Sequence, residues 1–144
     1  EIILEKLEMK AISTFHTIHN YVDVEEMILR KGAVSSKKDE LILIPINMRD
    51  GSLVCRGLGN KDWNFSAPHG AGRIMSRSQA FKEISLEDFK KSMEDVYSET
   101  VTEYTKDESP MVYKSKREIM NNIKGTVDIE TVIKPVFNFK AADI

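Results

Sequence analysis

The stretch Asn64-Phe65-Ser66-Ala67-Pro68-His69-Gly70-Ala71-Gly72-Arg73 combines a potential nucleophile, a flexible backbone and a guanidinium. Gly70 and Gly72 lack a Cβ atom, so the main chain after His69 can turn sharply and present successive N–H groups to an anion. A phosphate is the anion that such a turn favours. The alternative is an ordinary turn between a loop and a helix, because short glycine-rich motifs also occur by chance.

The residues after the glycine turn predict a helix from Ile74 to Lys82. Its positive N-terminal end, together with Arg73 and Arg77, would then face the anion in the turn. The distribution of charge agrees with this placement. Residues 30–82 hold ten Lys or Arg against four Asp or Glu, whereas residues 83–108 hold three against nine. We therefore expect anion binding in the first block, although solvated surface charge is the alternative.

The composition is that of a globular domain. The 144 residues are 41% hydrophobic and 31% charged, and the formal net charge is −2. No apolar run approaches the length of a bilayer span, so no membrane association is expected. A lone cysteine, Cys55, offers no intrachain disulfide, which favours a reducing compartment such as the cytoplasm. Because Glu1 is not an initiator methionine and the chain opens within an apolar periodic segment, we expect a fragment or a processed product.

Apolar side chains recur at three- and four-residue steps near the start of the chain. This spacing predicts an amphipathic helix from Glu1 to about Asn20 with one buried face. His19 belongs to that face, where a histidine is more often a hydrogen-bonded core residue than a metal ligand. His16 and His19 could also share one metal from adjacent turns, but two histidines alone are a weak signal.

The rest of the chain alternates short β-branched runs with helical patterns. The β-branched runs predict strands, the helical patterns predict helices, and Pro45–Ser52 is predicted as a turn. We also expect Trp63 and Phe65 to anchor the central loop in the core. This pattern predicts an α+β fold, a mixed sheet packed with helices. The predicted strands are Met27–Val34, Glu40–Ile44, Leu53–Arg56, Thr100–Thr105 and parts of Thr126–Lys140; the predicted helices are Ser85–Val96 and Lys114–Lys124.

The segment His69-Gly70-Ala71-Gly72-Arg73 resembles the His-Gly-Ala-Gly-Arg signature of the RtcB-type RNA ligases, which use GTP and manganese in tRNA splicing and RNA repair. The resemblance continues from about Phe15 to Lys140. It implies an enzyme that joins RNA 3′-phosphate or 2′,3′-cyclic phosphate ends to 5′-hydroxyl ends. In this chemistry His69 would take GMP from GTP as a covalent intermediate and pass it to the RNA end.

The resemblance also implies roles for other residues. Ile18-His19-Asn20 resembles the ligase segment whose histidine binds catalytic manganese, so the metal role is assigned to His19 and not to His16. The segment from Glu108 to Lys114 resembles one whose tyrosine lines a guanine pocket. The implied nucleotide contacts are Asn47 and Ser52 for phosphate and ribose, Gly70, Ala71, Gly72 and Arg73 for phosphates, and Tyr113 and Lys140 for the guanine base.

The family's other metal ligands, an aspartate, a cysteine and further histidines, lie upstream of the part represented here. Residues 1–144 are therefore interpreted as a single C-terminal portion of a larger ligase domain, incomplete and inactive without the N-terminal part of the same enzyme. Two alternatives stay open. One is a truncated relative that binds nucleotide or RNA without catalysis, and the other is a structural module whose glycine turn is incidental.

Overall fold

Two antiparallel sheets of three strands form the centre of the fold. The computed structural model describes residues 2–141. The first sheet has the order β1-β2-β5 and the second the order β3-β4-β6. Their bounds are His19–Asp23 (β1), Ile28–Ser35 (β2), Leu41–Asn47 (β3), Gly51–Gly57 (β4), Ser66–Pro68 (β5) and Val127–Ile133 (β6).

Helices pack against these sheets, so the predicted α+β class is confirmed. The strands do not form the one mixed sheet that we expected, because the short connections after β1 and β3 make hairpins, whose strands are antiparallel. The helices are Ile2–Lys6 (α1), Arg77–Glu83 (α2), Leu86–Ser92 (α3) and Lys116–Asn122 (α4). Short 3-10 helices cover Lys61–Trp63, Glu103–Glu108 and Pro110–Val112.

Serine side chains start three of the helices. The hydroxyl groups of Ser76, Ser85 and Ser115 accept hydrogen bonds from the backbone N–H three residues later, at 3.2, 3.0 and 3.2 Å. These bonds satisfy an amide that has no partner within the helix. The cap at Ser76 also explains why α2 begins at Arg77 rather than at Ile74 as predicted. The start of this helix is therefore separated from the glycine turn by several residues.

The buried apolar residues fall into two clusters. One lies between the sheets and α4, and the other surrounds α2, α3 and the 3-10 helix Pro110–Val112. Tyr113 packs against both clusters, while Ala71 belongs to the first and Met48 to the second. The loop after β5 thus lies where the two clusters meet.

The predicted amphipathic helix from Glu1 to Asn20 is wrong. Helix α1 spans only Ile2–Lys6, and His19 begins strand β1; Glu1 itself lies outside the described residues. A short amphipathic helix is stable only when its apolar face packs against another surface. Here most apolar side chains of that face are exposed, among them Leu7, Ile12, Phe15 and Ile18.

Other local predictions were also wrong. Residues 103–108 form a 3-10 helix instead of continuing a strand from Thr100. Trp63 is 59% exposed and does not anchor its loop in the core. The loop is held instead by the Asn60 side chain, which accepts a hydrogen bond from Asp62 N at 2.9 Å and donates one to Gly125 O at 2.8 Å. The expected core residues Val132, Val136, Phe137 and Phe139 are exposed as well.

No helix within residues 2–141 is long and apolar enough to cross a membrane.

Candidate active site

A cavity of about 780 Å³ collects the residues to which the sequence assigned a nucleotide-binding role. Its walls are the end of β3, the start of β4, the loop after β5, and segments near Tyr113 and Lys140. A cavity of this size can enclose much of a small ligand. Nine predicted residues line it: Asn47, Ser52, His69, Gly70, Ala71, Gly72, Arg73, Tyr113 and Lys140.

Strand β5 positions His69. It pairs with β2 so that Ala33 lies opposite Pro68, and the next amide, His69 N, donates to Gly32 O at 3.4 Å. Gly32 has a φ of +67°, a conformation that favours glycine, and a Cβ atom built there would lie 3.6 Å from the His69 ring. The backbone of β2 therefore supports one side of the imidazole.

His19 stacks on the same imidazole. The centroids of the His19 and His69 rings are 5.0 Å apart, and the ring planes are inclined by 29°. His19 is the exposed first residue of β1, and the neighbouring Asn20 side chain accepts a hydrogen bond from Gly32 N at 2.6 Å. The structure thus brings the predicted metal ligand next to the predicted nucleophile. In residues 2–141, no three His, Cys, Asp or Glu side chains gather as a metal-binding group, and the metal role of His19 stays a prediction.

The glycine turn offers two backbone amides to a ligand. Ala71 N already donates to Pro45 O at 3.1 Å, so this amide fixes the turn to β3. Across the described part of the chain, the amides of Gly70 and Gly72 have no hydrogen-bond acceptor. Gly72 has a φ of +69°, and a Cβ atom built on it would meet no atom within 4 Å. The space beside Gly72 is therefore open.

Arg73 is held across the cavity by Tyr113. The two residues form an isolated antiparallel bridge, and the guanidinium carbon of Arg73 lies 5.4 Å from the centroid of the Tyr113 ring. Nε donates to Met75 O at 3.2 Å, and Nη1 lies 3.8 Å from a carboxylate oxygen of Glu108. These contacts leave one nitrogen, Nη2, for another acceptor.

Glu108 is the residue that sequence reasoning missed. Its Oε2 accepts from Tyr113 Oη at 2.9 Å and lies 2.9 Å from Lys140 Nζ. Burial alone would raise the pKa of this carboxyl, but the bonds from Lys140 and Tyr113 and the charge of Arg73 outweigh burial and hold the pKa below its usual range. Burial and the hydrogen bond to Glu108 raise the pKa of Tyr113 to about 12. The only sequence signal for Glu108 was its place at the head of the tyrosine motif.

The segment that carries Lys140 is tied to the body of the protein. Asn138 N donates to Tyr97 O at 2.9 Å, and Lys140 N donates to Thr100 Oγ1 at 3.0 Å. A lysine this close to a chain end would ordinarily be frayed. Here its backbone is fixed, so its ammonium group reaches Glu108 at the cavity.

Asn47 has a structural role in the turn that the sequence predicts over Pro45–Ser52. Its Oδ1 accepts from Arg49 N at 3.0 Å and Asp50 N at 2.8 Å, and its Nδ2 donates to Asp50 Oδ2 at 2.9 Å. These bonds close the turn between β3 and β4. Ser52 lies on the adjacent strand and lines the cavity. A nucleotide contact of either residue remains a prediction.

Buried polar atoms without a partner mark the same cavity. Within the described chain these side-chain atoms are His69 Nδ1, Arg73 Nη2 and Asn138 Oδ1, and all three residues line the cavity. Folded proteins leave few such atoms, because an unpaired buried polar group costs free energy. The concentration of all three at one cavity indicates a ligand site.

Comparison with known proteins identifies the family. The family model described as tRNA-splicing ligase RtcB matches residues 2–141. The chain belongs to the RtcB family. The resemblance inferred from the His69–Arg73 motif is therefore confirmed.

Two curated RtcB relatives show how much of the enzyme this chain represents. It is 35% identical over 132 residues to the RNA-splicing ligase RtcB of Escherichia coli strain K12, an alignment that covers 88% of this chain and 32% of the relative. The RNA-splicing ligase RtcB1 of Escherichia coli strain ATCC 25922 gives the same identity and the same coverage. The chain thus spans about a third of the length of these ligases.

Proposed function

We propose that this chain is the nucleophile-bearing part of an RNA ligase that joins RNA 3′-phosphate or 2′,3′-cyclic phosphate ends to 5′-hydroxyl ends. The observation that supports it best is the cavity at which His69 Nδ1, Arg73 Nη2 and Asn138 Oδ1 are buried without partners. Membership of the RtcB family supports the reaction class. The partners are GTP, the RNA ends and the rest of the same enzyme.

In the proposed reaction His69 acts as a nucleophile. A lone pair on a ring nitrogen of the neutral imidazole attacks the α-phosphorus of GTP, the bond from that phosphorus to the bridging oxygen breaks, and pyrophosphate leaves with the electron pair. The resulting histidine-bound GMP is transferred to an RNA 3′-phosphate, which frees His69. An RNA 5′-hydroxyl then displaces GMP from that end and seals the strand.

The cavity residues would bind and orient the nucleotide. Arg73 Nη2 and the free amides of Gly70 and Gly72 are donors for phosphate oxygens. Tyr113 and Lys140 would hold the guanine base in positions already fixed by Glu108. Pre-ordered donors of this kind reduce the cost of reorganisation when charge develops on the phosphates.

His19 is the residue of this chain that would hold manganese. Imidazole is a suitable ligand for a transition metal, and the exposed His19 ring lies against His69. Bound manganese would neutralise phosphate charge as a Lewis acid. One histidine does not complete a metal site, so the remaining ligands would come from the upstream part of the ligase. Cys55 is not one of them, because it is buried in the core and burial raises the pKa of its thiol to about 11.

Mass spectrometry of the full-length ligase after incubation with GTP and manganese tests the proposal. We expect one GMP adduct, labile in acid and stable in base, on the peptide that contains His69. The variant His69→Ala should lose the adduct, whereas His16→Ala, which changes an exposed histidine outside the cavity, should keep it. An adduct that persists in His69→Ala would show that another residue is the nucleophile.

The same experiment distinguishes the ligase from a non-catalytic relative. That alternative is a truncated relative that binds nucleotide or RNA without catalysis. It predicts that the full-length protein binds GTP and forms no adduct with manganese present.

A further inference from the structure

Arg30 is the largest side chain that is completely buried in the described residues, and the proposed chemistry does not use it. It lies in β2, is 1% exposed, and belongs to none of the residues that line the cavity at His69. A buried guanidinium is costly unless its donors are all paired. Its partners therefore indicate what it does.

Three donor contacts of Arg30 go to the residues that lead into β5, Asn64 to Ser66, which we call the entry to β5. Nη2 lies 3.3 Å from Asn64 O and 3.2 Å from Phe65 O, and Nε donates to Ser66 Oγ at 3.0 Å. On the other side Nη1 donates to Tyr21 Oη at 3.0 Å and lies 3.7 Å from Asp23 Oδ2. One planar group thus joins β1, β2 and the residues that begin β5.

The entry to β5 has a strained backbone. Asn64 and Phe65 have φ values of +49° and +49°, in the left-handed region that costs an ordinary residue about 1–2 kcal/mol. Two such residues in succession turn the chain into the direction of β5, and the guanidinium of Arg30 binds both of their carbonyl groups. Strain of this kind persists only where the surroundings hold it.

This turn determines where His69 lies. Strand β5 has three residues and three register pairs with β2, and His69 follows it directly. A strand this short has little rigidity of its own, so its direction depends on the turn that precedes it. The imidazole rests on Gly32 and His19 only if β5 keeps that direction.

We propose that Arg30 is a positioning residue for the nucleophile: by holding the strained turn before β5, it fixes the His69 imidazole in reacting position. This inference rests on the proposed function, since it concerns the same guanylylation of His69. Lysine cannot replace arginine here, because a single ammonium group lacks the planar fork that reaches Ser66, Tyr21 and the two carbonyl groups together.

Single-turnover labelling of the full-length ligase with radioactive GTP and manganese tests the proposal. The variants are Arg30→Lys and Arg30→Met. The matched control is Arg56→Lys, which alters an exposed arginine on β4 that pairs with Glu130 at 2.9 Å. We expect the Arg30 variants to be labelled about 10- to 100-fold more slowly at saturating GTP, the effect typical of a misplaced reacting group. The KM for GTP should change by less than about threefold, because Arg30 does not line the cavity.

The amplitude of labelling separates positioning from simple stabilisation of the fold. If Arg30 only stabilised the protein, the folded fraction would be labelled at the wild-type rate and only the amplitude would fall. That result would overturn the proposal, as would a wild-type rate with wild-type amplitude. The Arg56→Lys variant should retain both the rate and the amplitude.

Amide hydrogen exchange provides a second measurement that does not depend on labelling. In Arg30→Lys, we expect the amides of Ala67 and His69 to exchange about tenfold faster, because both face β2 and His69 N donates to Gly32 O, while the amides of β4 are unchanged. Unchanged exchange at these two amides would refute the positioning role. If the wild-type ligase forms no GMP adduct, the proposed function fails, and hydrogen exchange still decides whether Arg30 holds β5.

Discussion

Replacement of Gly72 by alanine separates the stability of the fold from the proposed binding of phosphate. Gly72 has a φ of +69°, and a Cβ atom built there meets no other atom within 4 Å. The cost to the fold is therefore the left-handed strain alone, about 1–2 kcal/mol. Because domains are stable by about 5–15 kcal/mol, we expect Gly72→Ala to fold, with a melting temperature lower by a few degrees.

The effect of Gly72→Ala on chemistry should be much larger. Gly72 lines the cavity with His69 and Arg73, so the added methyl group would occupy the open space beside an amide that is free for a phosphate oxygen. A displacement of about 1 Å at a reacting phosphate costs about 100-fold in rate. We therefore expect kcat/KM for self-guanylylation of the full-length ligase to fall about 100-fold, which corresponds to about 2.7 kcal/mol.

The matched control is Gly59→Ala. Gly59 has a similar φ of +64°, but its Cβ atom would lie 3.0 Å from Lys38 N, so this variant should be at least as destabilised. Gly59 does not line the cavity, so the Gly59→Ala variant should be labelled at the wild-type rate per folded molecule. Wild-type labelling of Gly72→Ala would refute the assignment of phosphate to the glycine turn. An equal loss of labelling in both variants would mean that the loss results from destabilisation of the fold.

Three further changes test other parts of the structure. Glu108→Gln should lower the pKa of Tyr113 from about 12 toward 10, as followed by tyrosinate absorbance, while burial keeps the value above 10. The pKa of Glu108 is lowered in the fold, so the ionised carboxylate stabilises the fold above about pH 4.5. This contribution is lost as the pH falls through the lowered pKa. Below that pH, the difference in melting temperature between the variant and the wild type should disappear. His19→Ala should shift the manganese titration of labelling to at least about tenfold higher concentration, and an unchanged titration would remove His19 as a metal ligand. Gly51→Ala should prevent stable folding, measured by circular dichroism, because its Cβ atom would clash with the backbone oxygen of Ile133 between β4 and β6.

The sequence predicted the content of the cavity better than the elements around it. The β-branched runs predicted β2 and β3, and the predicted ends differ from the observed ends by one to three residues. This worked because the side-chain pattern of a half-buried strand is local. Residues as distant as Asn47 and Lys140 line one cavity. Their grouping followed from the resemblance to a family and not from spacing, since no local pattern relates such distant positions.

The failures have a common physical cause. The stripe from Leu4 to His19 has helical spacing, yet Leu7, Ile12, Phe15 and Ile18 are exposed, and periodicity does not tell whether a partner surface exists. The side chain of Ser76 caps α2, so this helix begins at Arg77, farther from the glycine turn than the predicted start at Ile74. Glu108 was not assigned a role, because its importance arises from contacts with Tyr113 and Lys140 that only the tertiary structure brings together.

The contacts of Glu108 also bear on how a chain with a net charge of −2 would build the proposed anion site. Arg73, Arg77 and Lys140 line the cavity with this single carboxylate, so the lining carries excess positive charge. Without Glu108, Arg73 and Lys140 would repel each other and leave the cavity for solvent. With it, Lys140, Tyr113 and Arg73 Nη1 gather around one carboxylate, while Arg73 Nη2 remains unpaired. In the proposed site, a triphosphate would bind beside Arg73 without first breaking the contacts of Glu108 with Lys140 and Tyr113, so the carboxylate would order the two residues that are proposed to hold the base.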